Sequence, residues 1–375
     1  MLGKIFFIQM KSIKTFFFFL LISSLNSCYQ DTGDFFRTDS IILTADFEEK
    51  RPGQTINFKI VTDSGIDITN EAKIFIQEIT TPPADVTMSD VPSLTSLNLT
   101  SYKVYAKYSD INSNKAFTSN EIIVKFDNKK SFVKRVLIED YTGAWCVSCP
   151  RVSYAIELLK LSATKMVPVA IHIGGSPGSF DPYNFVGVEP LFQLVNFTGE
   201  YPTGKLNRMT PWPFAQNSPT NQNIAIALTA GKPVRLGLSM NSVIENNAIN
   251  LNVKVKFYDD YSNLKLVVYV LENNLIYPQK NNTPFYGGLS LIPNFEHDHV
   301  VRGTFTNLLG DAIPSGETYF ENIYSKNFSV DVSTLTIENL NNLEFVAFVV
   351  GSDNKAINVR SAQIGENQLD FDENP

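Results

Sequence analysis

The sequence predicts a multidomain chain in which an α/β domain sits between two all-β blocks. Two observations carry this. Apolar residues recur with a period of two along residues 39–128 and again along 232–365, as in half-buried antiparallel strands. Between them, residues 129–231 alternate short apolar runs with helical spacing, as in an α/β layer.

Composition narrows the classes. The chain has 375 residues, is 43% hydrophobic and 18% charged, and contains three cysteines, which excludes a disordered chain and a disulfide-stapled mini-domain. A formal net charge of -7 argues against a nucleic-acid partner, which calls for a basic face.

Lys4, Lys11 and Lys14 precede the uncharged run Phe16 to Ile22, which is far short of the ~20 apolar residues of a membrane-spanning helix. The order fits a secretory signal. The segment from Met10 is a complete signal by itself, so either Met1 or Met10 can be the start. Leu25-Asn26-Ser27-Cys28 resembles the bacterial lipobox. That resemblance implies a signal peptide over 1–27 and an acylated Cys28, whose several acyl chains anchor stably where one would not. The residues alone also allow an ordinary signal with a coincidental cysteine. Residues 28–38 read as a tether. With Cys28 lipidated, Cys146 and Cys149 remain, and their natural partners are each other.

In the 39–128 block Ile56, Phe58 and Ile60 alternate with polar residues, as do Val104 and Ala106. Arg51-Pro52-Gly53, Asp63-Ser64-Gly65 and Pro82-Pro83 supply turns. Several short strands without a helical stretch predict a β-sandwich, and the run LTAD to AKIFI resembles bacterial Ig-like domains. The α/β block opens with the strand Arg135 to Tyr141. Val152, Ala155, Ile156 and Leu159 then repeat at helical spacing up to about Lys165. Met166 to Ile173 is a second strand, part of Val188 to Phe197 a helix, Thr203 to Arg208 a strand and Asn221 to Ala230 a helix. The segment MTPWPFAQNSP is proline-rich and reads as no strand. In the 232–365 block Leu251, Val253, Val255 and Phe257 alternate with polar residues. Leu264 to Leu271 and Leu343 to Val350 are longer apolar strands, and Asp353-Asn354 marks a hairpin before Ala356. A second β-sandwich follows, with 366–375 as a tail.

The chemistry concentrates in VLIEDYTGAWCVSCPRVSYAIELL, residues 136–159. A strand, a glycine turn and Trp145-Cys146-Val147-Ser148-Cys149 lead into a helix. Unpaired N–H groups at a helix start favour a thiolate, so Cys146 is expected to be the reactive, more exposed thiol and Cys149 the buried one. Pro150 suits a first helical turn and Arg151 adds a positive charge. Three readings of the cysteine pair stand: an exchange-competent redox pair, a static disulfide, and half of a zinc site that lacks a second ligand pair. Outside it, His297 and His299 are spaced to share one face of a strand and bind a metal, or to be a polar strand end. His172 reads as a packed residue. No G-x-G-x-x-G after a strand, P-loop or G-x-S-x-G occurs, so no cofactor is expected.

Trp145 directly before the first cysteine, C-x-x-C, and an acidic residue six positions upstream resemble the thioredoxin superfamily. The resemblance implies that Cys146 is the nucleophile, Cys149 the resolving thiol and Asp140 the proton carrier. Strand alternation would let only one of Glu139 and Asp140 point inward, and the neighbours do not settle which. Tyr201-Pro202-Thr203 resembles the cis-proline segment of that superfamily. It implies that Trp145, Tyr201 and Pro202 shape a groove for an extended peptide. Together with YPTGKLNR and FEHDHVVRGTFTNLLGDAIPSG, the segment VLIEDYTGAWCVSCP also resembles the outer membrane protein 28-related lipoproteins, over roughly Val133 to Gly365. That implies a lipid-anchored place at the outer membrane, with membrane contact through the anchor and envelope or surface proteins as partners. Two functions follow: a thiol-disulfide oxidoreductase acting on envelope proteins, or a non-enzymatic binding or scaffold protein that retains the fold.

Lipidation is directly testable. Metabolic labelling with a palmitate analogue should mark the protein, and Cys28→Ala should abolish the mark. A wild-type protein that is unlabelled and fully secreted contradicts the assignment.

Overall fold

The computed structural model describes residues 40–110, 114–162, 165–174, 177–230 and 233–374. The expected signal peptide, Cys28 and the tether lie outside them. Strand accounts for 45% and helix for 12%, so the α/β region is a minority within a mostly β molecule of several sheets.

The amino-terminal strands are β1 (Ile41–Ala45), β2 (Glu49–Lys50), β3 (Thr55–Thr62), β4 (Lys73–Glu78), β5 (Val86–Ser89), β6 (Ser93–Thr95), β7 (Ser101–Asp110), β8 (Lys115–Thr118) and β9 (Ile122–Phe126). They form two sheets, β1-β3-β6 and β2-β9-β7-β4-β5, with β8 added to β7. The alternation predicted for β3 is realised: Ile56, Phe58 and Ile60 are buried and the residues between them exposed. These side chains, with Ile74, Val104, Ala106 and Val124, make one core between the sheets.

The α/β region supplies β10 (Val136–Thr142), α1 (Pro150–Ser162), β11 (Met166–His172), α2 (Glu189–Leu194), β12 (Thr203–Leu206), β13 (Thr210–Trp212) and α3 (Pro219–Ala227). The remaining strands are β14 (Leu236–Glu245), β15 (Ala248–Phe257), β16 (Lys265–Glu272), β17 (Leu275–Lys280), β18 (Leu291–His297), β19 (Val300–Thr304), β20 (Asp311–Ala312), β21 (Ile323–Asp331), β22 (Leu343–Val350) and β23 (Ala356–Gln363).

Among the described residues the largest sheet runs β13-β12-β10-β11-β19-β16-β22-β23, with β20 beside β16. Strand β10 is parallel to β11 across the α1 crossover, and antiparallel to β12 on its other side. Strand β13 pairs antiparallel with β12, so the proline-rich segment read as no strand does form one. The reason is position: β13 is the sheet edge, where the N–H that Pro211 lacks has no partner to lose.

This sheet does not stop at residue 231, where the change of pattern suggested a boundary. Strands β19, β16, β22 and β23 continue it, and the sheet β14-β15-β21 packs on their outer part. The carboxy-terminal block is thus two facing sheets, one of them shared with the α/β region. Sharing explains the sequence of β22, LEFVAFVV, in which every residue is buried. Phe345, Ala347 and Val349 face the β14-β15-β21 sheet, while Val346, Phe348 and Val350 face the opposite core.

Helix α1 covers the first face of β10: Val152, Ala155, Ile156 and Leu159 pack on Val136 and Ile138. Helix α3 adds Ala225 to the same core, started by a Ser218 hydroxyl that accepts from the Asn221 N–H and by Pro219 in its first turn. On the other face Leu137 and Tyr141 of β10 pack with Val188, Leu191 and Val195 and with β16 and β22.

Candidate functional site

Strand β10 ends at Thr142 and points the chain at the cysteines. Gly143 is required there: a Cβ on it would lie 2.6 Å from Trp145 Nε1 and 2.9 Å from Ile173 O. The space it leaves lets the indole N–H donate to Ile173 O at 2.6 Å, which pins Trp145 across the end of β11. The Ala144 N–H donates to Asp181 Oδ2 at 2.7 Å, and the same oxygen lies 2.9 Å from His172 Nδ1. His172 and Asp181 are buried, and with Ala144 they fix the backbone two residues before Cys146.

Cys146 and Cys149 are joined as a disulfide, with their Cα atoms 5.4 Å apart. They lie in a turn, and α1 begins at Pro150, so Cys146 is four residues ahead of the helix rather than at its first position. The Cys149 carbonyl accepts from the Val152 N–H at 3.0 Å, which couples the turn to the helix. Cys149 is 1% exposed, as expected of the inner cysteine, but Cys146 is only 4% exposed. Cys146 is thus the more exposed of the two, as expected, but by a small margin, and both cysteines are buried. The end of β17 is bonded to the same turn: Gln279 Nε2 donates to Cys146 O at 2.9 Å, and the Asn282 N–H donates to Val147 O at 2.8 Å.

Glu139 and Asp140 are both inside, at 0% and 2% exposure, which corrects the expectation that only one is. Alternation does send them to opposite faces, but both faces of β10 are covered. Asp140 shares the face of Val136 and Ile138, beneath α1. Its Oδ1 has no hydrogen-bond partner. Burial pushes the carboxyl up to about 8, against the pull of Arg151. The Arg151 guanidinium is itself held by Gln216 Oε1 at 3.1 Å and lies over the Phe214 ring. Glu139 shares the other face with Tyr141; the Tyr269 hydroxyl donates to it at 3.2 Å, and Arg208 Nε stands 3.6 Å away. Burial raises Glu139 as well, with Arg208 and Tyr269 opposing.

The bond between Tyr201 and Pro202 is cis, directly before β12. Trp145 and Tyr201 meet edge to face with centroids 5.3 Å apart, and Tyr201 continues to Phe197 at 5.0 Å. The structure thus brings Trp145, Tyr201 and the cysteine turn to one end of the sheet. His297 and His299 are separated: His297 Nε2 lies 3.1 Å from Tyr277 O, and His299 Nδ1 lies 2.7 Å from Glu344 Oε2. His299 has left the strand at a φ of 57°, so the shared face expected for the pair does not form. Among the described residues no group of three or more His, Cys, Asp or Glu side chains is arranged to hold a metal. Asp181 and Gln279 escaped sequence reasoning, since neither belongs to a motif and each reaches the turn from a distant segment.

The pattern of residues 192–368 matches the family model of outer membrane protein Omp28. No curated protein matches the sequence. Among solved structures, the chain is similar to HBP35 of Porphyromonas gingivalis, with a TM-score of 0.50 and 18% identity, covering 64% of this chain and 78% of that one. A domain of the outer membrane lipoprotein Omp28 from Porphyromonas gingivalis is also similar, with a TM-score of 0.24 and 17% identity over 36% of this chain and 92% of that one.

The native carboxyl of Asp140 holds its proton up to about 8, while in the unfolded chain it ionises near the ordinary ~4. Its contribution to stability is therefore fully present below the unfolded value and is lost as pH rises to about 8. An amide has no proton to lose. Thermal or urea unfolding of Asp140→Asn should show a gain over wild type on the order of 5 kcal/mol at pH 8, closing towards pH 4. A difference that does not change with pH contradicts the assignment.

Proposed function

Through residues 192–368 the chain belongs to the outer membrane protein 28-related family, and on that premise we propose that it is a lipid-anchored envelope protein whose thioredoxin-like region performs thiol-disulfide exchange on envelope or surface proteins. The family places it at the outer membrane of the cell envelope. The anchor is assigned to Cys28. The observation that carries the exchange reading is Asp140. A buried carboxyl with an unpartnered oxygen costs stability, and proton transfer to and from Cys149 gives it a use. The strand order β11-β10-β12-β13, with a cis proline before β12 and the cysteine turn after β10, supports the thioredoxin-like reading.

From the disulfide state, a substrate thiolate attacks Cys146 Sγ and breaks the bond to Cys149. Cys149 leaves as a thiolate and takes the Asp140 proton. A second substrate thiolate attacks the substrate sulfur of the mixed disulfide and releases Cys146, which takes a proton from water. The substrate dithiol has become a disulfide, and two electrons have moved to the cysteine pair. The reverse sequence reduces a substrate, with Asp140 accepting the Cys149 proton. Trp145, Tyr201 and Pro202 are the proposed walls of the substrate groove.

A second reading, a binding or scaffold lipoprotein with a static disulfide, is favoured by the cover over Cys146. Trapping separates the two. After reduction, Cys149→Ser should accumulate mixed disulfides through Cys146 with envelope proteins, because the resolving thiol is gone. Cys146→Ser should accumulate none. Absence of adducts from Cys149→Ser moves the assignment to the static reading.

A further inference from the structure

Strands β17 and β18 make a hairpin of their own, outside the large sheet. Its two feet are β16 and β19, both strands of that sheet, so its base is fixed. From there it crosses the cysteine turn. The Lys280 N–H donates to Ala144 O at 2.9 Å and the Asn282 N–H to Val147 O at 2.8 Å. Between them Gln279, 3% exposed, directs Nε2 at Cys146 O and, at 3.3 Å, at Gly143 O. Beyond the turn, Phe285 stacks on Tyr154 of α1 at 4.2 Å, and the Tyr286 hydroxyl donates to Glu157 at 2.8 Å. At the base, His297 packs on His172 at 5.1 Å. Four of the five carbonyls from Gly143 to Val147, those of Gly143, Ala144, Cys146 and Val147, are thus engaged by one segment lying more than 130 residues further along the chain.

We infer that this hairpin is a strap bound in place of an extended partner peptide, with Gln279 as the positioning residue for the cysteine turn, and that a partner reaches Cys146 by displacing it. The donors define the class of partner. Two N–H groups two residues apart, on one edge of an extended backbone, are what a peptide strand supplies when it adds to an open edge. A partner that already spends its N–H groups in helix or sheet cannot replace Lys280 and Asn282. The strap can lift locally at the turn, because there it is held by a few hydrogen bonds and, beyond it, by the stacking of Phe285 on Tyr154, while the core it shares with the sheet, Leu275 with Tyr183 and Val300, lies at its base. The inference rests on the exchange reading only in naming Cys146 as the sulfur that must be reached.

The test uses the full chain in its disulfide form and a water-soluble phosphine as reductant. Losing the Gln279 bonds should speed reduction of the 146–149 disulfide by roughly ten- to a hundredfold in Gln279→Ala, the range for one or two buried hydrogen bonds. The rate should stay nearly flat in low urea, since local opening exposes little surface. An unchanged rate in folded Gln279→Ala overturns the inference, and so does an acceleration that climbs with urea as global unfolding does. Should that variant not fold, hydrogen exchange in the wild type decides. The Lys280 and Asn282 amides should exchange through an opening that urea leaves unchanged, and exchange only by global unfolding overturns the strap. Reduction is read in Gln279→Ala, where the 146–149 disulfide is intact, and adducts in Gln279→Ala combined with Cys149→Ser, and the two readouts together separate the claims. Faster reduction without trapped adducts keeps the strap and removes the exchange reading; adducts without faster reduction do the reverse.

Discussion

Strand β10 is covered on both faces, and much of the molecule follows from that. All seven of its residues are buried, yet it carries two adjacent carboxyls. A carboxylate cannot remain charged in such a layer without a partner. Glu139 finds Arg208 and Tyr269 on the side formed with β16 and β22. Burial still raises Glu139 against them, and it raises Asp140, which on the α1 side has only the field of Arg151, up to about 8. The same double cover requires the carboxy-terminal strands to join the sheet, because β16 and β22 supply part of the face that encloses Tyr141 and Glu139.

The cysteine turn inherits its environment from this arrangement. It is a continuation of β10, held from one side by Asp181 at Ala144 and from the other by the β17–β18 hairpin. Trp145 lies across the end of β11 and touches Tyr201 on the neighbouring segment. From Tyr201 an aromatic path through Phe197 to Tyr141 leads back into the core of the sheet. The disulfide is therefore gripped by elements from three separate parts of the chain, and its chemistry depends on contacts that no local motif encodes.

This accounts for which features were legible in the sequence. Period-two strands such as β3 and β15 were readable because each has one polar and one buried face. The run in β22 was readable as a strand, but its doubly buried role was not, since the covering sheet is made by other segments. Local chemistry placed Pro150 in the first turn of α1 and Trp145 beside Cys146. It failed for β13, where proline masks an edge strand, and for the choice between Glu139 and Asp140, which assumed an open face that the fold closes. That Cys146, though the more exposed cysteine, is buried was not legible for the same reason: Gln279 lies 133 residues away and carries no motif.

The central claim is that burial between β10 and α1 keeps Asp140 protonated near neutral pH. Its side-chain carboxyl carbon can be followed by NMR in the oxidised protein across the pH range, with Asp140→Asn identifying the signal. The account predicts a single inflection near 8. An inflection in the ordinary aspartate range near ~4 contradicts it.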